Sequence, residues 1–114
     1  MTEARRRLGA AGEDQAARWY VARGYQVLDR NWRCREGEVD LVLAKGRTVV
    51  FCEVKARSSA AFGSPAEAVT PAKQRKLRAT ALRWLQEHDG HGVALRFDVV
   101  AILAGEMEVI EAAF

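Results

Sequence analysis

Apolar residues recur at helical spacing in two parts of the chain. In the first part they predict a helix over about Leu8–Arg23 that ends at Gly24. In the second part Thr70 can cap a helix that carries Pro71 at its first position, and the apolar stripe continues to about His88. The pattern therefore predicts one helix near the start of the chain and another in its second half.

Three runs between these helices have the pattern typical of β-strands: YQVLDRNWR, EVDLVLA and TVVFCEVKA. Turn signals at Glu36-Gly37 and Lys45-Gly46-Arg47 separate them, so we expect three successive antiparallel strands. After the second helix, LRFDVVAIL predicts another strand, and a short terminal strand follows around Met107 to Ile110. The segment SSAAFGSPAEAV predicts a loop with a short helical turn. The order α-β-β-β-α-β indicates an α/β fold.

The composition of the 114 residues is that of one folded domain, with 49% hydrophobic and 29% charged residues. Lys and Arg outnumber Asp and Glu by 18 to 15, and the net charge of +3 suits a polyanionic partner without requiring one. Arg5–Arg7 make residues 1–7 a candidate flexible basic arm, although a short charged tail explains them as well. Without an apolar run near the roughly 20 residues that cross a bilayer, or a signal peptide, we expect a cytoplasmic protein and no membrane partner.

The two cysteines give no sign of a disulfide or a zinc site. Cys34 and Cys52 lie in strand-like stretches without CxxC spacing, which favours free thiols in a reducing compartment. A zinc site would need His88 and His91 as further ligands, and neither pair has the usual ligand spacing.

Two carboxylates and a lysine stand in the otherwise apolar second and third predicted strands, where a charge needs a physical reason. If the turn between these strands is Gly46-Arg47, Asp40 lies directly opposite Glu53. If the turn is Lys45-Gly46, Asp40 lies opposite Phe51. Because side chains alternate along a strand, both registers place Asp40 on the same face as Glu53 and Lys55.

Carboxylates this close repel each other, and a divalent cation relieves the repulsion. Oxygen ligands with open positions for water suit Mg²⁺ or Mn²⁺ better than zinc. Such an ion can assist cleavage of a phosphodiester, with Lys55 orienting the attacking water or stabilising the transition state. The alternative is structural, with Asp40 and Glu53 paired with Lys55 or with arginines. Apolar neighbours indicate a central sheet covered by helices and favour the functional interpretation: Val39, Leu41, Cys52 and Val54.

Asp40 followed by Glu53-Val54-Lys55 resembles the D…ExK signature of the restriction-endonuclease-like nuclease superfamily. Four ordered segments are similar to the bacterial YraN-like family, which resembles archaeal Holliday-junction resolvases: GEDQAARWYVARGYQVLDRNWR, GEVDLVLA, FCEVKARSSAAFGSPAEAV and RFDVVAI. The resemblance extends from about Leu8 to Leu103. It implies a restriction-endonuclease-like fold, in which helices flank a mixed sheet of four or five strands.

The same resemblance implies that Glu13 is a further metal ligand, because an early helix supplies a glutamate to the metal site in the resolvase-like members. Helical spacing independently places Glu13 on or beside the stripe that faces the sheet. A carboxylate near a helix N-terminus is also stabilised by the helix dipole, which is the structural alternative.

Four further residues are candidates for contact with nucleic acid: Arg57, Ser58, Lys73 and Gln74. The first three follow the third strand or open the second helix, and solvated surface positions are the alternative explanation. Gln74 lies in line with the apolar stripe of its helix, where a simple spacer is equally ordinary. Glu38 shares a strand face with Asp40, but it follows a turn, where an exposed charge is expected.

Pattern and resemblance together predict a Mg²⁺- or Mn²⁺-dependent endonuclease that hydrolyses DNA, with branched or repair intermediates as expected substrates. The alternative is a nucleic-acid-binding accessory protein of the same fold without cleavage activity. A third interpretation is a purely structural partner protein, in which the same carboxylates form ion pairs. A homodimer would suit symmetric cutting of two strands, since each chain offers one site.

Overall fold

The computed structural model describes residues 2–59, 69–90 and 92–114. Its helices and strands follow one another in this order: α1 (Glu3–Ala22), β1 (Gln26–Cys34), β2 (Gly37–Lys45), β3 (Thr48–Arg57), α2 (Pro71–Glu87), β4 (Ala94–Leu103) and β5 (Glu106–Ile110). The predicted loop between β3 and α2, with its short helical turn, lies mostly outside the described residues, as does His91.

The strands form one five-stranded sheet in the order β1-β2-β3-β4-β5. Neighbouring strands are antiparallel except β3 and β4, which are parallel. A parallel pair needs a long crossover connection, and α2 lies in that connection. The expected α/β fold, a mixed sheet flanked by helices, is confirmed.

Each helix covers one face of the sheet, which produces two apolar cores. The α1-side core consists of Ala16, Ala17, Tyr20, Leu41, Leu43, Val50, Cys52, Val100 and Ile102. The α2-side core consists of Val39, Val42, Val49, Phe51, Leu77, Ala81, Trp84 and Phe97. Because both faces of the central strands are covered, residues 41–44 of β2 and 49–52 of β3 are apolar throughout, and a charge beside them is costly.

Helix α1 begins at Glu3, five residues before the start near Leu8 that the apolar pattern predicts. Thr2 caps it by accepting a hydrogen bond from the backbone N–H of Arg5. Glu3 also forms exposed ion pairs with Arg6 and Arg7 at 3.9 and 3.4 Å. These local interactions favour helix without burying apolar surface, so the arginines expected in a flexible arm lie in the first turns of α1. No helix in the described part of the chain is long and apolar enough to cross a membrane.

The turn between β2 and β3 is the two-residue turn Gly46-Arg47. Its glycine has a φ of 59°, a left-handed conformation that glycine adopts at little cost. At the far end of this hairpin Leu41 pairs with Cys52, so the next residues along the two strands are Asp40 and Glu53. The first of the two predicted registers is therefore the observed one.

Both cysteines are free thiols, as expected. Cys52 is buried in the α1-side core, and its sulfur lies 3.8 Å from the Tyr20 hydroxyl. Burial raises the pKa of the Cys52 thiol, which therefore stays neutral and packs as a small apolar side chain.

Asp98 in β4 is completely buried at the centre of a hydrogen-bonded network. Arg96 donates two hydrogen bonds of 2.9 Å to its carboxylate, and Tyr20 of α1 donates one of 2.6 Å. The backbone N–H of Ala112 also donates to it, at 3.1 Å. Hydrogen bonding to Asp98 raises the pKa of Arg96, which secures the positive charge. The network ties α1 and the C-terminal segment to the sheet.

We predict that Asp98→Asn lowers the free energy of unfolding by about 3 kcal/mol, because it leaves the Arg96 guanidinium without its buried counter-ion. Urea denaturation at neutral pH measures this change. Glu87→Gln is the matched control, since it removes one partner of an exposed 2.8 Å ion pair with Arg83 and should have a much smaller effect. Equal effects of the two substitutions would contradict the stabilising role of the network.

Candidate functional site

Strand β2 changes its orientation at Asp40. Leu41 packs in the α1-side core, whereas Val39, two residues earlier, packs in the α2-side core. Residues two apart in a regular strand point to the same face, so the alternation is interrupted at the residue between them. Strict alternation along the strands predicts that Asp40 shares a face with Glu53 and Lys55. This alternation is broken at Asp40, so the argument for a shared face fails there.

Strand β1 is irregular at the same level. Arg30 pairs with Leu41 and Trp32 with Val39, which sets Asn31 opposite Asp40. Asn31 has a φ of 50°, in the left-handed region that asparagine tolerates better than most residues. The side chains of both strands therefore switch from one face of the sheet to the other across this position.

Asp40 replaces a backbone partner with its side chain. The backbone pairing of β2 with β3 ends at Leu41 and Cys52, and the Val54 N–H beyond it donates a 2.8 Å hydrogen bond to Asp40 Oδ2. The strands separate where the carboxylate inserts. Asp40 is only 8% exposed, so this acid is held in the interior of the sheet.

The carboxyl group of Asp40 lies beside that of Glu53. Burial, followed by the negative charge of Glu53, raises the pKa of Asp40 to about 8, while the hydrogen bond from Val54 opposes the rise. The Glu53 side chain is itself largely buried, with 18% of its surface exposed. In the protein without a metal, Asp40 therefore holds a proton at neutral pH, next to the carboxyl group of Glu53.

Two lysines lie near Glu53. Lys55 Nζ lies 3.1 Å from Glu53 Oε1. Burial alone would lower the pKa of Lys55, but the charges of Glu53 and Asp40 outweigh it and the pKa is raised. The pKa of Lys73 at the start of α2 is lowered, mainly by its contact with Lys55 and by burial. The structure thus brings Asp40, Glu53, Lys55 and Lys73 together.

Glu13 reaches this region from α1, where the helix approaches the sheet closely. A Cβ on the preceding Gly12 would lie 3.2 Å from Ala56 Cβ and from Ile102 Cδ1, tighter than ordinary packing. Glu13 Oε1 accepts a 2.9 Å hydrogen bond from Asn31 Nδ2. Burial raises the pKa of Glu13, and its charge in turn raises that of Asp40. The acid that the resemblance implies therefore stands beside the carboxyl pair.

The donor set fits a hard cation with few protein ligands. Within the residues that the structure describes, no three His, Cys, Asp or Glu side chains converge as a ready metal cluster. Mg²⁺ is commonly held by one or two carboxylates and keeps several waters, so Asp40 and Glu53 meet its needs. Glu13 lies close enough to raise the pKa of Asp40, and it would supply a further carboxylate oxygen directly or through a water molecule.

The remaining candidates are less closely tied to the acids. The Arg57 guanidinium donates to the Ala56 carbonyl at 3.5 Å, and Ser58 is exposed. Gln74 Nε2 donates to the Val69 carbonyl at 3.4 Å, at the start of its helix. Glu38 forms an exposed 2.7 Å ion pair with Arg33, as expected for a surface carboxylate.

Sequence reasoning did not single out Asn31 and Arg30, the β1 residues that contact the α1 acids. Arg30 lies 3.9 Å from Glu13 and 2.6 Å from Asp14. The available signal was the asparagine inside the strand-like run DRNWR, because asparagine is depleted in strands and tolerates positive φ.

The fold and the site define an α/β protein in which a mixed sheet, covered by a helix on each face, brings two acids and a lysine together in its central strands. Residues 12–102 match the model described as "Uncharacterised protein family UPF0102", and the chain belongs to this family. A UPF0102 protein of Beutenbergia cavernae is 57% identical over 96 residues, covering 84% of this chain and 81% of that relative. One of Mycolicibacterium vanbaalenii is 49% identical over 110 residues, covering 96% and 91%. The expected YraN-like relationship is confirmed, and membership of the nuclease superfamily stays a prediction.

We predict that Asp40→Asn changes how stability depends on pH in the protein without a metal. The native Asp40 pKa of about 8 exceeds its usual value of 3.8, so the folded state binds a proton that the unfolded chain releases between these values. This contribution to stability is complete below about pH 4 and is lost as the pH rises through about 8. Asparagine has no proton to lose and can still accept the Val54 hydrogen bond.

From about pH 5 to pH 9, native protein in EDTA should therefore lose at least ~1.4 kcal/mol more stability than Asp40→Asn, the equivalent of one pKa unit. Urea unfolding at a series of pH values measures the difference. Parallel pH profiles for the two proteins would contradict the raised pKa.

Proposed function

We propose that this chain is a Mg²⁺- or Mn²⁺-dependent endonuclease that hydrolyses phosphodiester bonds of DNA. The observation that carries the proposal is the buried Asp40 carboxyl, which lies beside another acid. Among residues 2–59, 69–90 and 92–114 no ion pair of Asp40 is found, and Lys55 pairs with Glu53. An unpaired buried carboxylate is costly, and a bound divalent cation would offset the cost.

Asp98 provides an internal comparison for this argument. It is also a buried acid in the central part of the sheet, but two hydrogen bonds from Arg96 and one from Tyr20 satisfy its carboxylate. Asp40 has one backbone donor, Val54, and an acidic neighbour. The described residues therefore satisfy the Asp98 carboxylate with cationic and hydroxyl groups, whereas Asp40 has no cationic partner and is held as a neutral acid until it ionises.

Asp40 and Glu53 would hold the cation, with Glu13 beside them on α1. A cation there would neutralise negative charge that develops on the phosphate and would lower the pKa of the attacking water. Both carboxyl groups must be ionised to bind it, so loss of the Asp40 proton accompanies binding.

The lysines supply positive charge from the protein. Because its pKa is raised, Lys55 stays an ammonium at neutral pH, next to Glu53. From that position it would orient the attacking water or stabilise charge on the phosphoryl oxygens in the transition state. Lys73 would contact an adjacent phosphate, and Arg57 and Ser58, which follow Lys55 along the chain, are proposed as further phosphate contacts. Gln74 would support them from the first turn of α2.

The two other functions explain the carboxyl pair less well. An accessory protein that only binds nucleic acid has no use for buried acids beside its basic residues, because they repel phosphate. A structural partner protein would be expected to satisfy Asp40 with a cationic side chain, as Arg96 satisfies Asp98.

The proposed substrate class comes from the resemblance to junction resolvases and not from measured geometry. DNA is the proposed partner, with branched or repair intermediates as the preferred form. Cutting two strands symmetrically would require a two-fold homodimer, since each chain contributes one site. Action on DNA also agrees with the expected cytoplasmic location.

We predict that the native chain cleaves linear, nicked or four-way-junction DNA in Mg²⁺ or Mn²⁺, and that Asp40→Asn and Glu53→Gln reduce cleavage to background. Lys55→Met should lower the rate by about 10²- to 10³-fold, the usual loss when a group that stabilises transition-state charge is removed. Labelled DNA resolved on denaturing gels gives these rates. Glu87→Gln removes an exposed acid of α2 and should cleave like the native chain.

Binding of DNA without cleavage, in either metal, would favour the accessory-protein alternative. Residual cleavage equal in all the variants would point to a contaminating nuclease and would leave the site without support. An absence of both DNA binding and metal binding would favour the structural alternative.

A further inference from the structure

Asn31 adopts an unusual backbone conformation for its place in the fold. Four non-glycine residues of the described chain have positive φ, and the other three, Asp89, Ala104 and Ala112, follow the ends of α2, β4 and β5. Asn31 lies inside β1. A strained residue inside a strand persists only when its surroundings require it, and such residues concentrate at functional sites.

The side chain of Asn31 connects two elements of the candidate site. Its amide donates to Glu13 Oε1 at 2.9 Å. The ion pair of Glu13 with Arg30 is long at 3.9 Å, because that guanidinium is engaged with Asp14 at 2.6 Å. Asn31 therefore makes the short contact that fixes the orientation of the Glu13 carboxylate.

The position of Asn31 in β1 explains why its side chain can reach Glu13. Asn31 stands opposite Asp40, between the paired residues Arg30 with Leu41 and Trp32 with Val39. The left-handed turn of the backbone occurs at the point where both strands change face. A residue of ordinary strand geometry would continue the alternation of β1 and would not occupy this position.

We propose that Asn31 is a positioning residue, which holds the Glu13 carboxylate beside Asp40 so that Glu13 strengthens the binding of the cation. This inference rests on the proposed metal site of Asp40 and Glu53. Asn31 itself touches neither the cation nor the substrate. Groups that orient metal ligands in this way typically change metal affinity by about 10- to 100-fold.

Two substitutions separate this role from a contribution to folding. Asn31→Gly removes the amide and relieves the positive φ, whereas Asn31→Ala removes the amide and keeps the strain. Both should raise the Kd for Mn²⁺, measured by titration calorimetry, by about 10-fold. Their Tm values should differ, with Asn31→Gly the more stable of the two. Gln15→Ala is the control on the same helix as Glu13, because among the described residues the Gln15 amide donates to the Gly105 carbonyl alone, and its Kd should equal the native one.

A double-mutant cycle tests whether the effect passes through Glu13. In a Glu13→Gln background, Asn31→Gly should cause no further rise in the Kd for Mn²⁺. If the native chain binds Mn²⁺, native affinity in both Asn31 variants would overturn the positioning role. A full 10-fold loss of Mn²⁺ affinity caused by Asn31→Gly in the Glu13→Gln background would overturn it as well. Failure of the native chain itself to bind Mn²⁺ would overturn the proposed metal site together with this inference, and so the two failures are distinguishable.

Discussion

The hydrogen bond from the Val54 N–H to the Asp40 carboxyl is the interaction on which the candidate site depends. It occurs where β2 and β3 stop pairing, so the side chain of Asp40 takes the place of a backbone acceptor inside the sheet. Held there, Asp40 is buried next to Glu53, and its pKa rises to about 8. The lysines and Glu13 then gather around an acid that the sheet itself keeps in place.

Burying Asp40 beside Glu53 costs folding free energy, and interactions elsewhere in the sheet offset this cost. On β4 the Asp98 network joins α1 to the strands through Tyr20 and Arg96. Asp98 pairs with Cys52 of β3, whereas Asp40 lies in β2, on the opposite side of β3. The two cores clamp β2 and β3 from both faces. A central sheet supported in this way can tolerate one buried acid, Asp40, that has no cationic partner among the described residues, which is the usual relation between a stable scaffold and a strained site.

Much of this arrangement is predictable from the sequence because it follows from periodicity and turn chemistry. Gly46-Arg47 sets the β2–β3 register, which brings Asp40 opposite Glu53, and Thr70-Pro71 marks the start of α2. Periodicity also predicts the strand order along the chain, although it does not identify which strands pair in parallel.

The parts that could not be predicted depend on contacts between distant segments. The change of face at Asp40 and the positive φ of Asn31 break the alternation from which strand faces are inferred. The start of α1 is set by a cap and exposed ion pairs, which carry no apolar periodicity. The amide contact from β1 to Glu13 joins residues 18 positions apart in sequence, and only the packing of α1 on the sheet brings them together.

The central claim is that Asp40 and Glu53 together bind a divalent cation. Crystals of the native chain soaked in Mn²⁺ test it directly, through the anomalous scattering of manganese. We expect an anomalous peak within about 2–2.5 Å of carboxylate oxygens from both residues, and no peak there in Asp40→Asn crystals treated in the same way. A native map without a peak at this position, or with manganese bound only elsewhere on the molecule, would contradict the claim.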